Sequence, residues 1–95
     1  MIKDINQKNV AAGDKILHED VWKRPGSYDG RRLGVVQKVT KDAIYVQDFD
    51  YPSGLPLIDT AIISGTNCQS EVEVLTLEKI REMELEAYFK MLTSD

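Results

Sequence analysis

Apolar and polar positions alternate most regularly over residues 43–49, where Ile44 and Val46 are interleaved with Tyr45 and Gln47. That period of two predicts a strand with one buried face. Residues 33–39 read as its hairpin partner, with the turn at Thr40-Lys41-Asp42. Val35, Val36, Val39, Thr40, Ile44 and Val46 are β-branched and favour a pleated surface over a helix. Val36 and Val39 are three apart, so a bulge is expected near Gln37-Lys38. A lone hairpin is marginal in water, and further strands must cover it. The pattern supplies them at 15–22, 57–64 and 71–75. Two turn-rich loops separate them: 23–31, with Pro25-Gly26 and Asp29-Gly30, and 48–56, with two prolines and a glycine. Gly65-Thr66-Asn67 reads as a turn. At the N-terminus the periodicity is weak, and Ile2, Ile5 and Val10 are the residues available for packing.

From Thr76 onward the period becomes helical. Thr76 is the expected N-cap, Glu78 suits the first turn, and no glycine or proline interrupts a helix over 76–92. Its apolar residues cover an arc of about 200°, roughly twice what packing against one sheet face requires. Leu77, Ile80, Tyr88 and Met91 are therefore candidates for a second interface, available to a second copy of the chain as a homodimer. Glu84 falls inside the arc, with Arg81 as its expected partner.

Ninety-five residues support one domain with one modest core, divided into a strand region at 11–75 and the helix at 76–92. No apolar run approaches a membrane span, and the polar start lacks the apolar stretch of a signal peptide. One cysteine, Cys68, fits a reducing compartment, so the expected location is cytoplasmic. The net charge of −4 is unevenly spread. Residues 15–41 carry seven basic groups against three acidic ones, and residues 42–95 three against eleven. One region could meet a polyanion and the other a basic partner.

Catalytic and metal chemistry find little support. His18 is the only histidine, and no nucleophile signature surrounds it or Cys68. His18 is expected on a strand surface. Asp48 and Asp50 form a carboxylate pair, but Pro52 and Ser53 break the spacing of a calcium loop. One histidine and one cysteine cannot build a zinc site of nitrogen and sulfur ligands, and no glycine-rich phosphate loop is present. The expectation is a non-enzyme without cofactor or metal.

Gly13-Asp14-Lys15-Ile16, then 34–39 (GVVQKV) and 43–46 (AIYV), resemble the opening, the central strand and the hairpin of SH3-like barrels of the KOW type. The resemblance covers residues 11–75. It implies an all-β fold, a small five-stranded, partly open SH3-like barrel here followed by a C-terminal α-helix, and a role in contacting nucleic acid or protein. The long loop before Gly34 and the acidic helix depart from the short form of that pattern.

The expected function is a non-catalytic binding module for a protein partner, as an adaptor, subunit or inhibitor. The alternative is DNA or RNA binding through the basic region 22–41. The acidic total favours protein, because phosphate binding needs net cationic contacts. The expected site is the loop with Trp22, Lys23, Arg24, Tyr28, Arg31 and Arg32, residue types that carry interface energy or stack on bases. Alanine at Arg31 and Arg32 together is expected to weaken binding with little change in melting temperature.

Overall fold

The computed structural model describes residues 1–93. Five strands, β1 (Lys15–Glu19), β2 (Arg31–Val39), β3 (Ala43–Phe49), β4 (Pro56–Ser64) and β5 (Val72–Val74), form one antiparallel sheet in the order β4-β3-β2-β1-β5. Three short helices join them: α1 (Gly65–Glu71), α2 (Leu77–Glu82) and α3 (Glu86–Thr93). The fold is thus a five-stranded sheet with C-terminal helices and not all-β.

The central hairpin forms as its alternation requires. Ile44 and Val46 are fully buried, and the β2–β3 register shifts between Val36 and Lys38, where the spacing of the valines called for a bulge. Thr40 closes the turn, its Oγ1 accepting from the N–H groups of Asp42 (3.3 Å) and Ala43 (3.1 Å).

The sheet is open, with β4 at one end and β5 at the other. The reason lies at the N-terminus. The Ile5 N–H donates to the Val72 carbonyl at 2.9 Å, and the Val74 N–H donates to Asp4 Oδ2 at 2.8 Å. Residues 4 and 5 thereby take up the outer edge of β5.

A sheet this small buries both faces, and each carries its own core. On one face Ile16, Val36, Ile44 and Val46 pack with Ile2 and Val10 of the N-terminal segment and with Cys68 of α1. On the other, Leu17 and Leu33 meet Leu75, Ile80, Leu85, Tyr88 and Phe89. Cys68 is fully buried, and burial followed by the charge of Glu71 pushes its thiol up to about 11. Alkylation needs the thiolate. Native protein at pH 8 is expected to resist iodoacetamide and to react fully once unfolded in urea, a difference that mass spectrometry reads directly.

Three expected elements differ. β1 ends at Glu19 and not near Trp22, because Asp20 turns inward and is buried. The turn expected at Gly65 is the start of α1, N-capped by Ser64, whose side chain accepts from the Asn67 N–H. The helix expected over 76–92 starts as read, with Thr76 accepting from the Lys79 N–H, but breaks after Glu82. Glu84 adopts a left-handed φ of 59°, its N–H donates to the Arg81 carbonyl and that of Leu85 to the Ile80 carbonyl. This is a Schellman ending, in which the residue after the left-handed position packs back on the last turn. Leu85 and Ile80 do so in one core. The break explains the width of the apolar arc: two short helices bring to one surface what a single straight helix would have spread around its circumference.

Candidate functional site: a cavity at a strand bulge

Strand pairing brings an unusual set of side chains to one end of the first face. His18 pairs with Arg32 in the β1–β2 register, and Gly34 pairs with Asp48 in the β2–β3 register. The apolar row of Ile16, Val36 and Val46 thus gives way to His18, Arg32 and Asp48, with Asp20 just beyond β1. All four of these polar residues are buried.

His18 Nδ1 donates to the Glu19 carbonyl at 2.9 Å, since a carbonyl can only accept. Its Nε2 lies 2.7 Å from Asp48 Oδ1, so the pair holds one further proton between nitrogen and oxygen. The two side chains belong to β1 and β3 and meet over β2, which is why glycine occupies position 34. A Cβ there would stand 2.5 Å from Val46 Cγ1 and 2.8 Å from Asp48 Oδ1.

Asp20 organises the loop after β1. Its carboxylate accepts from the N–H of Trp22 (3.3 Å) and of Arg24 (2.9 Å) and faces the Arg24 and Arg32 guanidinium groups, each with Nε at 3.4 Å. Burial works against its ionisation, but the Arg24 hydrogen bonds and the two cations outweigh it and hold the carboxyl below its ordinary value. The Arg32 side chain is only 3% exposed, and its Nε and Nη1 have no hydrogen-bond partner among the described residues.

The cavity opens where β4 leaves β3. Pairing runs from Gln47–Thr60 straight to Phe49–Pro56, so Leu57, Ile58 and Asp59 stand opposite Asp48 alone. Gln47 steadies this bulge, its Nε2 donating to the carbonyls of Leu57 (2.8 Å) and Asp48 (2.9 Å). Beside it lies an open cavity of about 800 Å³ lined by Arg24, Arg32, Asp48 and Asp50 together with Leu57 and Ile58. Bulges of this kind re-aim side chains beside functional sites.

The six residues singled out in the loop divide by location. Trp22 is 79% exposed, and Lys23 and Arg24 are also at the surface. Tyr28 packs edge-on against Tyr51 and donates to the Met83 carbonyl at 3.3 Å, tying the loop to the C-terminal helices. Arg31 pairs with Glu73 of β5 at 3.1 Å, and Arg32 forms part of the cavity wall. Because Arg32 is buried, alanine at Arg31 and Arg32 together must also lower stability, contrary to the expectation of an unchanged melting temperature. Of the helix residues, Ile80 and Tyr88 lie in the core, whereas Leu77 and Met91 are 56% and 47% exposed.

His18, Asp20 and Asp48 are not among the partner-binding residues expected from the sequence, where His18 and Asp48 enter only as candidates for catalysis and metal binding. His18 is expected there on a strand surface, whereas the register buries it against Asp48. The available signals were the polar DFD following an alternating strand and the glycine of β2, both of which acquire meaning only once the strands are aligned. Among the described residues no group of three or more His, Cys, Asp or Glu could hold a metal ion, and no helix is long and apolar enough to cross a membrane. Compared with known protein families, curated proteins and solved structures, the chain matches none of them, and its functional reading rests on this geometry.

Proposed function

We propose that the chain is a non-catalytic binding module that engages a protein partner through the outer edge of β4 and the cavity beside it. The observation that carries this reading is the asymmetry of the two sheet edges. The β5 edge is closed by residues 4 and 5, whereas β4 pairs only with β3 among the described residues and presents Ile58 at 100% and Ile62 at 63% exposure. An open, apolar edge is a template for another chain, and soluble proteins usually blunt such edges. Leu55, 66% exposed, extends the apolar surface into the cavity. Within this reading the sheet is an SH3-like barrel left open between β4 and β5, and Trp22 is a further anchor on the adjoining loop.

Nucleic-acid binding has less support. Of the four basic residues in that loop, Arg31 and Arg32 are engaged within the fold and Arg24 faces Asp20, which leaves Lys23 as the cation without a carboxylate partner among those four. The non-catalytic assignment draws on His18, whose two ring nitrogens are both occupied in a buried position.

Capture from a lysate with and without nuclease tests the reading when wild type is compared with Ile58→Asp. Because Ile58 is fully exposed, the substitution should leave the melting temperature within a degree or two, while a charge on the apolar surface of the edge should reduce capture at least about tenfold. Capture lost on nuclease treatment, or unaltered in the variant, would count against a protein partner at this edge.

A further inference from the structure

In an antiparallel sheet the backbone groups of successive residues turn alternately toward the neighbouring strand and away from it. The Gly65 N–H donates to the Asp42 carbonyl at 2.8 Å, next to the Ala43–Ser64 pair, and so turns toward β3. Counting back along the ladder, Ile63 and Ala61 also turn inward, while Ile62 and Thr60 direct their N–H and C=O to the free edge. The order holds at the bulge. The Leu57 carbonyl accepts from the Gln47 side chain of β3, which leaves Ile58 outward. Side chains two apart on a strand share a face, so Ile58, Thr60 and Ile62 stand on the same side of β4.

This edge is complementary to itself. A two-fold axis at Thr60 would join two copies antiparallel, with Thr60 bonded to Thr60 and Ile58 of each chain beside Ile62 of the other. Both isoleucines, 100% and 63% exposed in the single chain, would be covered by a cross-strand pair. Charge and apolar matching both select this register. Centred on Asp59, the only charged residue of β4, the pairing would set two carboxylates directly opposite each other. Centred on Ala61, it would set Ile62 against Thr60 and Ile58 against Ser64. With Thr60 on the axis, Asp59 stands opposite Ala61. Pro56 has no N–H and ends the ladder. The far edge of the sheet limits growth: residues 4 and 5 occupy the outer side of β5, so the assembly closes at two copies.

We propose that the occupant of the β4 edge is a second copy of this chain, paired antiparallel about Thr60 into one continuous sheet with five strands from each copy. The inference rests on the protein-partner reading above and names that partner. The nine residues of β4, at about 3.4 Å each, give an edge roughly 30 Å long. One strand edge buries less than the roughly 800 Å² per partner of a standard interface, so the dimer is weak and reversible.

The test is sedimentation equilibrium of the full chain from low micromolar to millimolar concentration, with isotope-filtered NMR on a mixture of methyl-labelled and unlabelled chains. The mass should rise from that of one 10.8 kDa chain toward twice that value. The filtered spectrum should show contacts between Ile58 and Ile62 methyls, which within one chain lie about 13 Å apart along the strand. Ile58→Asp and Ile62→Lys should each weaken association at least about tenfold. Both side chains are exposed, so neither variant should lower the melting temperature of the dilute protein. Combined in one chain, the two substitutions place an acid beside a base at each contact, and the double variant should associate at least about threefold more tightly than either single one. A chain that stays monomeric to millimolar concentration, a dimer whose contacts fall at Leu77 and Met91, or a double variant no tighter than the single ones overturns the proposal. A monomer whose capture from a lysate still depends on Ile58 overturns the second copy alone and leaves the protein-binding edge standing. A dimer in this register supports the inference even where no other protein is captured.

Discussion

Replacing Asp48 with alanine is expected to destabilise the protein by about 3–5 kcal/mol, the range for removing one partner of a buried ion pair. Domains of this size are stable by only about 5–15 kcal/mol, so the variant should sit near the edge of folding. Both partners are almost sealed from water, with side chains 7% and 4% exposed, and the 2.7 Å contact joins β1 to β3 across the intervening strand. Without the carboxylate, His18 Nε2 faces a void beside Arg32. Urea unfolding of wild type, Asp48→Ala, His18→Ala and the double variant forms a cycle, in which a coupling of about 0.5–3 kcal/mol is expected for groups in contact. A cost for Asp48→Ala below about 1 kcal/mol, the value of a solvated pair, would show that the contact is not buried in solution. Gly34→Ala strikes the same place sterically and is expected to cost about 1–3 kcal/mol by overpacking against Val46 and Asp48.

The second large effect lies at the opposite edge. Asp4 is fully buried and accepts three backbone hydrogen bonds, all at 2.8 Å: Asn6 and Lys8 N–H on Oδ1, Val74 N–H on Oδ2. Alanine at this position leaves three donors without partners. Asn6 and Lys8 are exposed and their N–H groups can turn to water, so the loss falls chiefly on the Val74 donor and the buried site, at about 1–3 kcal/mol. Hydrogen exchange reports it locally: the Val74 amide should exchange much faster in Asp4→Ala, while Ile44 and Val46 follow only the global loss of stability. Asp4→Asn retains one acceptor oxygen and should fall between alanine and wild type. Unchanged protection at Val74 would mean that the N-terminal segment does not hold the β5 edge. The same result would remove the asymmetry of edges on which the functional reading depends.

Local patterns were sufficient for the central hairpin and for the start of α2. The alternation in 43–49, the valine spacing that placed the bulge, the turn at Thr40 and the Thr76 cap are each decided by interactions within a few residues. Such interactions are visible in a linear pattern. The tertiary structure decided everything that depended on which strands lie side by side. Whether Arg32 is a surface cation or a buried one depends on its pairing with His18 and on Asp20 turning inward, and neither is encoded near Arg32. The break at Glu84 runs against local preference, since glutamate favours helix and seldom takes a left-handed φ. It occurs because burying Leu85 beside Ile80 yields more than continuing the helix. The cavity is the clearest case: it exists because three residues of β4 face one of β3, a mismatch between strands that no single segment contains.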